Sequence, residues 1–164
     1  MGSMVQQSDA KAPRIFIDGD ACPVKEETLK VAARHHLQVV IVSNGGLRPS
    51  RDPMVSHIVV PKDADAADDR IVVEAAPGDI AVTADIRLAA RLLEKETNVL
   101  GPDGRAFTTD SIGVALAMRD LSQHLRETGE SRGLNASFTR RDRSRFLEEL
   151  DRMARRAKAN STKN

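Results

Sequence analysis

Aspartates in this chain stand just past apolar runs. Asp18 ends RIFID and Asp20 follows two residues later, Asp85 lies in the TAD that follows IAV, and Asp63, Asp65, Asp68 and Asp69 gather after HIVVP. A carboxylate at the buried end of a strand is costly to desolvate unless it is paired or bound to a metal, so Asp18 and Asp85 read as functional. On a helix Asp65, Asp68 and Asp69 fall at i, i+3 and i+4 and share a face, where like charges repel. A helix N-terminus offsets that by a few tenths to about 1 kcal/mol per carboxylate. A divalent cation is the other remedy, and each of the three also reads as an ordinary cap or first-turn acid. Oxygen-only donors suit Mg²⁺ or Mn²⁺, ions that activate water and stabilise charge on a scissile phosphate. The expected chemistry is metal-assisted phosphodiester hydrolysis, with a metal between the Asp18/Asp20 pair and Asp85, helped by Asp65, Asp68 and Asp69. On the same rim, Ser43 and Asn44 of VSNGG and Arg48 and Arg51 of LRPSRDP are candidate substrate contacts. An Asn-Gly-Gly turn and a solvated loop are the plainer readings of those four.

Short β-branched runs alternate with helical patterns, which predicts βαβ units around a mainly parallel sheet. The expected strands are 14–18, 38–42, 57–61, 79–83 and 98–100, apolar throughout as in a sheet covered on both faces. Pro23 opens a helix running to about His36, with Val24, Thr28, Val31 and Ala32 on one face. A second begins near Asp65, carries Ala67, Ile71 and Ala75 on one stripe, and stops before Pro77. A third follows Asp85 and buries Leu88, Ala89, Leu92 and Leu93. Val114, Met118, Leu121 and Leu125 define a fourth; Phe146, Leu147, Leu150, Met153 and Ala154 define a fifth. Open α/β sheets bind ligands outside the carboxyl ends of strands where strand order reverses. With the first strand beside the fourth, the acidic groups share that crevice.

The 164 residues suit one domain, expected over 13–157, after a disordered segment 1–12 and before a tail that frays from 158. Met1-Gly2-Ser3 before Met4 resembles an expression-vector remnant. No apolar run approaches the roughly 18 residues of a membrane span, and the N-terminus lacks a signal-peptide pattern. With a single Cys excluding an internal disulfide framework, the expected location is the cytoplasm. The 25 Lys and Arg nearly balance 24 Asp and Glu, but residues 131–164 hold 10 of the basic and only 4 of the acidic ones. That basic tail either follows a phosphate backbone, making RNA a candidate partner, or covers the sheet with its arginines paired to the acidic body. With no Trp, no Tyr and 4 scattered Phe, aromatic base-stacking platforms are poorly supported.

Together DGDACPVKEE, VSN, ADAADDRIV, GDIAVTADIRLAARLLEK, GPDGRAFT and RRDRSRFLEELD resemble the YaiI/YqxD family of bacterial proteins over roughly residues 13–155. That family is similar to PIN-like domains, commonly metal-dependent ribonucleases with acidic residues at strand ends. The resemblance implies a three-layer α/β/α PIN-like sandwich. It carries over Asp18 and Asp20 from DxDACP, Asp65, Asp68 and Asp69 from DxADD, and Asp85 from TAD, with Asp18, Asp20 and Asp85 expected to be catalytic.

Two other readings stand beside the nuclease. FIDGDACPV and IVSN also resemble the start and second motif of haloacid-dehalogenase phosphatases, but Cys22 replaces the Thr or Val of that start and no late GDxxxD follows. The third reading is a PIN-like module that holds RNA or protein without catalysis. Cys22, before a helix, has no evident dyad partner and reads as packing.

Overall fold

A computed structural model describes residues 12–19, 22–45, 50–63, 65–114, 116–118 and 138–162. The order is β1 (Arg14–Asp18), α1 (Lys25–His35), β2 (Gln38–Ser43), β3 (Val55–Val59), α2 (Ala66–Glu74), β4 (Ile80–Val82), α3 (Ile86–Glu94), β5 (Asn98–Leu100), β6 (Ala106–Phe107) and α4 (Arg140–Thr162). The strands form one sheet in the order β3-β2-β1-β4-β5-β6, parallel except for the antiparallel β5–β6 pair. β1 is therefore central and beside β4, as expected.

The period-2 geometry of a strand sends alternate residues of β1 to opposite faces. Ile15 and Ile17 join α1 and α4 through Val31, Phe146, Leu150 and Ala154, whereas Phe16 joins α2 and α3 through Ile71, Leu88 and Leu92. Two cores on two faces make the three-layer α/β/α sandwich. The face expected for α1 is the buried one: Val24, Thr28, Val31 and Ala32 are all sealed. The helix itself starts at Lys25, Pro23 and Val24 forming a turn, and it closes with His36 in the left-handed region at φ 58°.

Several boundaries move. β3 lies two residues earlier than expected, set by its parallel register from Val39↔Val55 to Ser43↔Val59. It is an edge strand, so its residues are not covered on both faces: Ser56 and Val59 are exposed. β4 is shorter than expected, although Asp79 and Thr83 at its two ends still bond through their backbones to Asn98 and Leu100. β6, unforeseen, pairs two residues through the hairpin that Gly101 and Gly104 close. Residues 109–114 and 116–118 are helical, but Ile112 and Leu116 face the core while Val114 and Met118 are exposed, so the expected stripe is rotated. Leu121 and Leu125 lie outside the described residues. α4 runs to Thr162, and Lys158 Nζ in its last turns donates to the His35 carbonyl at the end of α1, 2.9 Å away.

Gly104 has φ +87° and lies against Arg145: a Cβ there would stand 2.6 Å from the Arg145 backbone. Only glycine lets the β5–β6 hairpin press on α4. The first turns of α4 are thereby fixed at the carboxyl ends of the parallel strands, and its last turns at the opposite end beside His35.

Candidate active site

From β1 the chain crosses through α1 on one face, and from β4 it crosses through α3 on the other. The switch falls between β1 and β4, where an open α/β sheet leaves a crevice. A cavity of about 390 Å³ opens there, lined by Asp18, Cys22, Thr83, Ala84, Asp85, Ile86 and Pro102.

Thr83 organises its floor. The side chain is buried, its hydroxyl donates to Asp18 Oδ2 at 3.2 Å, and the same oxygen accepts the Asp85 N–H at 3.0 Å. Asp85 is the N-cap of α3, its Oδ1 accepting from Arg87 N at 2.9 Å and Leu88 N at 3.2 Å. This cap fixes the carboxylate at the crevice. Thr83 escaped the sequence reading, although a Thr two residues before an Asp at a strand end is the signal of such a turn.

Asp68, on the first turn of α2, stands beside the Asp85 and Asp18 carboxylates. Burial, the charges of Asp85 and Asp18, and a hydrogen bond shared with Asp85 push its pKa up to about 6. Asp65 adds a smaller repulsion from one turn away. Three of the expected carboxylates, Asp18, Asp68 and Asp85, are therefore neighbours although 67 residues separate the first from the last. Asp69, next to Asp68, turns outward and pairs with Arg91 of α3 at 2.9 Å. Asp65 is exposed at the start of α2, with no side-chain capping bond. Asp20 lies outside the described residues.

The expected substrate contacts divide. Ser43 is buried at the end of β2 and its hydroxyl accepts the Gly45 N–H at 3.3 Å, so it serves the turn; Asn44 beside it is exposed. Arg51 is exposed and immediately precedes the Asp52 turn that enters β3, at the end of the sheet opposite the crevice. The structure does not bring it to the carboxylates, because β2 and β3 are parallel and their connection must travel the length of the sheet. Arg48 lies outside the described residues. Cys22 lines the crevice while packing on the α1/α4 core, and burial, reinforced by Asp18, raises its thiol pKa. A thiol so placed is a poor nucleophile at neutral pH.

The donor set is oxygen-only and acidic, the kind that Mg²⁺ and Mn²⁺ prefer over softer metals. The crowding of Asp68 against Asp85 and Asp18 is what a cation would relieve, so in chemistry the residues fit one. Among the described residues no three His, Cys, Asp or Glu side chains close into a ligand shell. Asp85 commits one oxygen to its helix cap.

Fold and crevice define a doubly wound α/β/α protein with an acidic site at the switch point of its sheet. The chain belongs to the family described as uncharacterized BCR, YaiI/YqxD family, whose model matches residues 16–156. It is 63% identical to the UPF0178 protein mlr0875 of Mesorhizobium japonicum over 151 residues, 92% of this chain and 97% of that protein. It is 60% identical to the UPF0178 protein Atu1478 of Agrobacterium fabrum over 146 residues, 89% of this chain and 95% of the relative. The UPF0178 protein RPA2191 of Rhodopseudomonas palustris is 48% identical over 143 residues, 87% of this chain and 90% of its own length. No solved structure matches the chain. No helix among the described residues is long and apolar enough to cross a membrane.

Proposed function

We propose that the chain is a divalent-metal-dependent nuclease that hydrolyses phosphodiester bonds in RNA. The observation that carries this reading is the meeting of Asp18 and Asp85 in the crevice between β1 and β4 with Asp68 beside them. Carboxylates that repel one another destabilise a fold, and a site that keeps them together is suited to a cation. Asp18, Asp68 and Asp85, with Asp20 of the same DxD segment, would hold Mg²⁺ or Mn²⁺, which would supply an activated water and a counter-charge for the scissile phosphate. Thr83 orients Asp18 through its hydroxyl, and α3 holds Asp85 through two backbone N–H groups. The resemblance to PIN-like domains points to the same chemistry.

Two measurements test it. Labelled single-stranded RNA and a phosphomonoester are each incubated with the protein, with and without Mn²⁺. Cleavage of RNA only when Mn²⁺ is present is expected. Turnover of the monoester alone would make the protein a phosphatase, and bound but uncut RNA would make it a binding module. Titration calorimetry with Mn²⁺ should give heat on the parent and none on Asp18→Asn. Equal heats would place the ion elsewhere and overturn the site.

A further inference from the structure

The acidic crevice repels the substrate it is proposed to cut, so the phosphates on either side of the scissile one must find cations outside it. The arginines of α4 are divided between the two ends of the molecule. Arg155 pairs with Asp151, which also holds His35, and Arg152 pairs with Glu149; these stand toward the end of the helix that docks beside the last turn of α1. Arg156 is about 24 Å along the axis from Arg140, at 1.5 Å per residue. The first turns of α4 are at the crevice end: Arg143 pairs with Glu27 on the first turn of α1, and Arg145 donates to the Asp103 carbonyl. Asp103 follows Pro102, which lines the crevice.

At that end cations are in surplus. Arg140 and Arg141 are exposed and form no ion pair among the described residues, and Arg105, on the hairpin beside Arg145, has a side chain 76% exposed with one long contact of 3.8 Å to Asp103. Across the crevice, on the first turn of α3, Arg87 is exposed and likewise forms no ion pair among the described residues. A cationic rim thus flanks the carboxylates from two sides, formed by the start of α4 and the hairpin on one and by α3 on the other. Arginine forks match phosphate oxygens and stay charged at every working pH.

We infer that Arg105, Arg140 and Arg141, with Arg87 opposite, form a track for the backbone of a single-stranded polynucleotide crossing the crevice, and that the distal arginines Arg152, Arg155 and Arg156 take no part. The inference rests on the proposed nuclease reading for its substrate class, but binding and cleavage fail separately. Single-stranded 12-mers of RNA and of DNA, fluorescently labelled, are titrated in EDTA over a range of salt, so that no turnover intervenes. The parent is compared with the triple variant Arg105→Gln/Arg140→Gln/Arg141→Gln and with Arg152→Gln/Arg155→Gln/Arg156→Gln. Each phosphate that the protein no longer neutralises takes about 0.7 from the slope of log K against log salt. The rim triple should lower that slope by up to about 2 and weaken binding at least tenfold at low salt, with an unchanged melting temperature. The distal triple should leave the slope unaltered.

Equal weakening by the two triples, or no binding of either oligonucleotide by the parent, would overturn the track. Rim-dependent binding without Mn²⁺-dependent cleavage would support the track and overturn the nuclease. Cleavage of the small diester bis(4-nitrophenyl) phosphate, with oligonucleotide binding indifferent to the rim, would do the reverse.

Discussion

Strand β4 has aspartates at both ends, and they live in opposite surroundings. Asp79, at its start, is buried and fully compensated: it accepts the Arg14 and Ala76 N–H groups at 2.9 Å and pairs with the Arg14 guanidinium at 3.5 Å. Past its end, Asp85 also accepts two backbone N–H groups, as the cap of α3, but the charged groups it meets are Asp68 and Asp18, acids like itself. A carboxylate surrounded by donors holds a fold together; a carboxylate surrounded by carboxylates weakens it and is kept for something else. The same contrast recurs between neighbours on α2, where Asp69 pairs outward with Arg91 and Asp68 meets Asp85 and Asp18.

The largest effect expected is at the compensated end. Asp79→Ala removes the acceptor of the Arg14 and Ala76 N–H groups and the counter-charge of a part-buried guanidinium that then keeps only the Glu74 carbonyl at 2.8 Å among its hydrogen-bond partners, and should cost about 2–3 kcal/mol in denaturant unfolding. A loss under about 1 kcal/mol would erase the distinction between the two ends. Thr83→Val keeps the volume but leaves the Asp85 N–H and an Asp18 oxygen without the hydroxyl, so a loss of about 1–2 kcal/mol is expected by the same measurement. No loss would mean that the hydroxyl does not organise the crevice.

The smallest effect sharpens the comparison through its sign. The pKa of Asp68 is raised in the fold, from 3.8 to about 6, so the folded state holds the proton more tightly than the unfolded one. Between those values the folded state binds more protons, and stability from this group falls as pH rises. Below 3.8 the neutral acid costs nothing; above 6 the full penalty is present. In EDTA, Asp68→Asn should therefore flatten the fall in unfolding free energy between about pH 4 and 6 and be at least as stable as the parent at pH 7. A variant less stable than the parent at pH 7 would move Asp68 into the structural class with Asp79.

Much of this was legible in the chain. Alternating β-branched runs and amphipathic helices specify a doubly wound sheet because strand and helix periods are local properties, and Asp18 and Asp85 stood out because a polar group closing an apolar run is costly wherever that run is buried. Edges were less legible: β3 looked like an interior strand until its register made it the edge, and β6 is too short to carry a pattern.

What the sequence determined by itself is therefore the five parallel strands and the helices between them, the buried face of α1 and the candidacy of the acids. Which acids meet was decided only by the tertiary structure. Asp68 and Asp69 are adjacent and equally charged, and each shares a face with Asp65, yet the packing of α2 against α3 and the end of β1 offers Asp69 a guanidinium and Asp68 two carboxylates. Likewise the arginines of α4 form one basic run in sequence, and the docking of that helix, with Gly104 against Arg145, Arg143 on Glu27 and Lys158 on the His35 carbonyl, fixes which of them stand at the crevice. Charge and spacing are written along one dimension, while electrostatic environment depends on neighbours brought from distant parts of the chain.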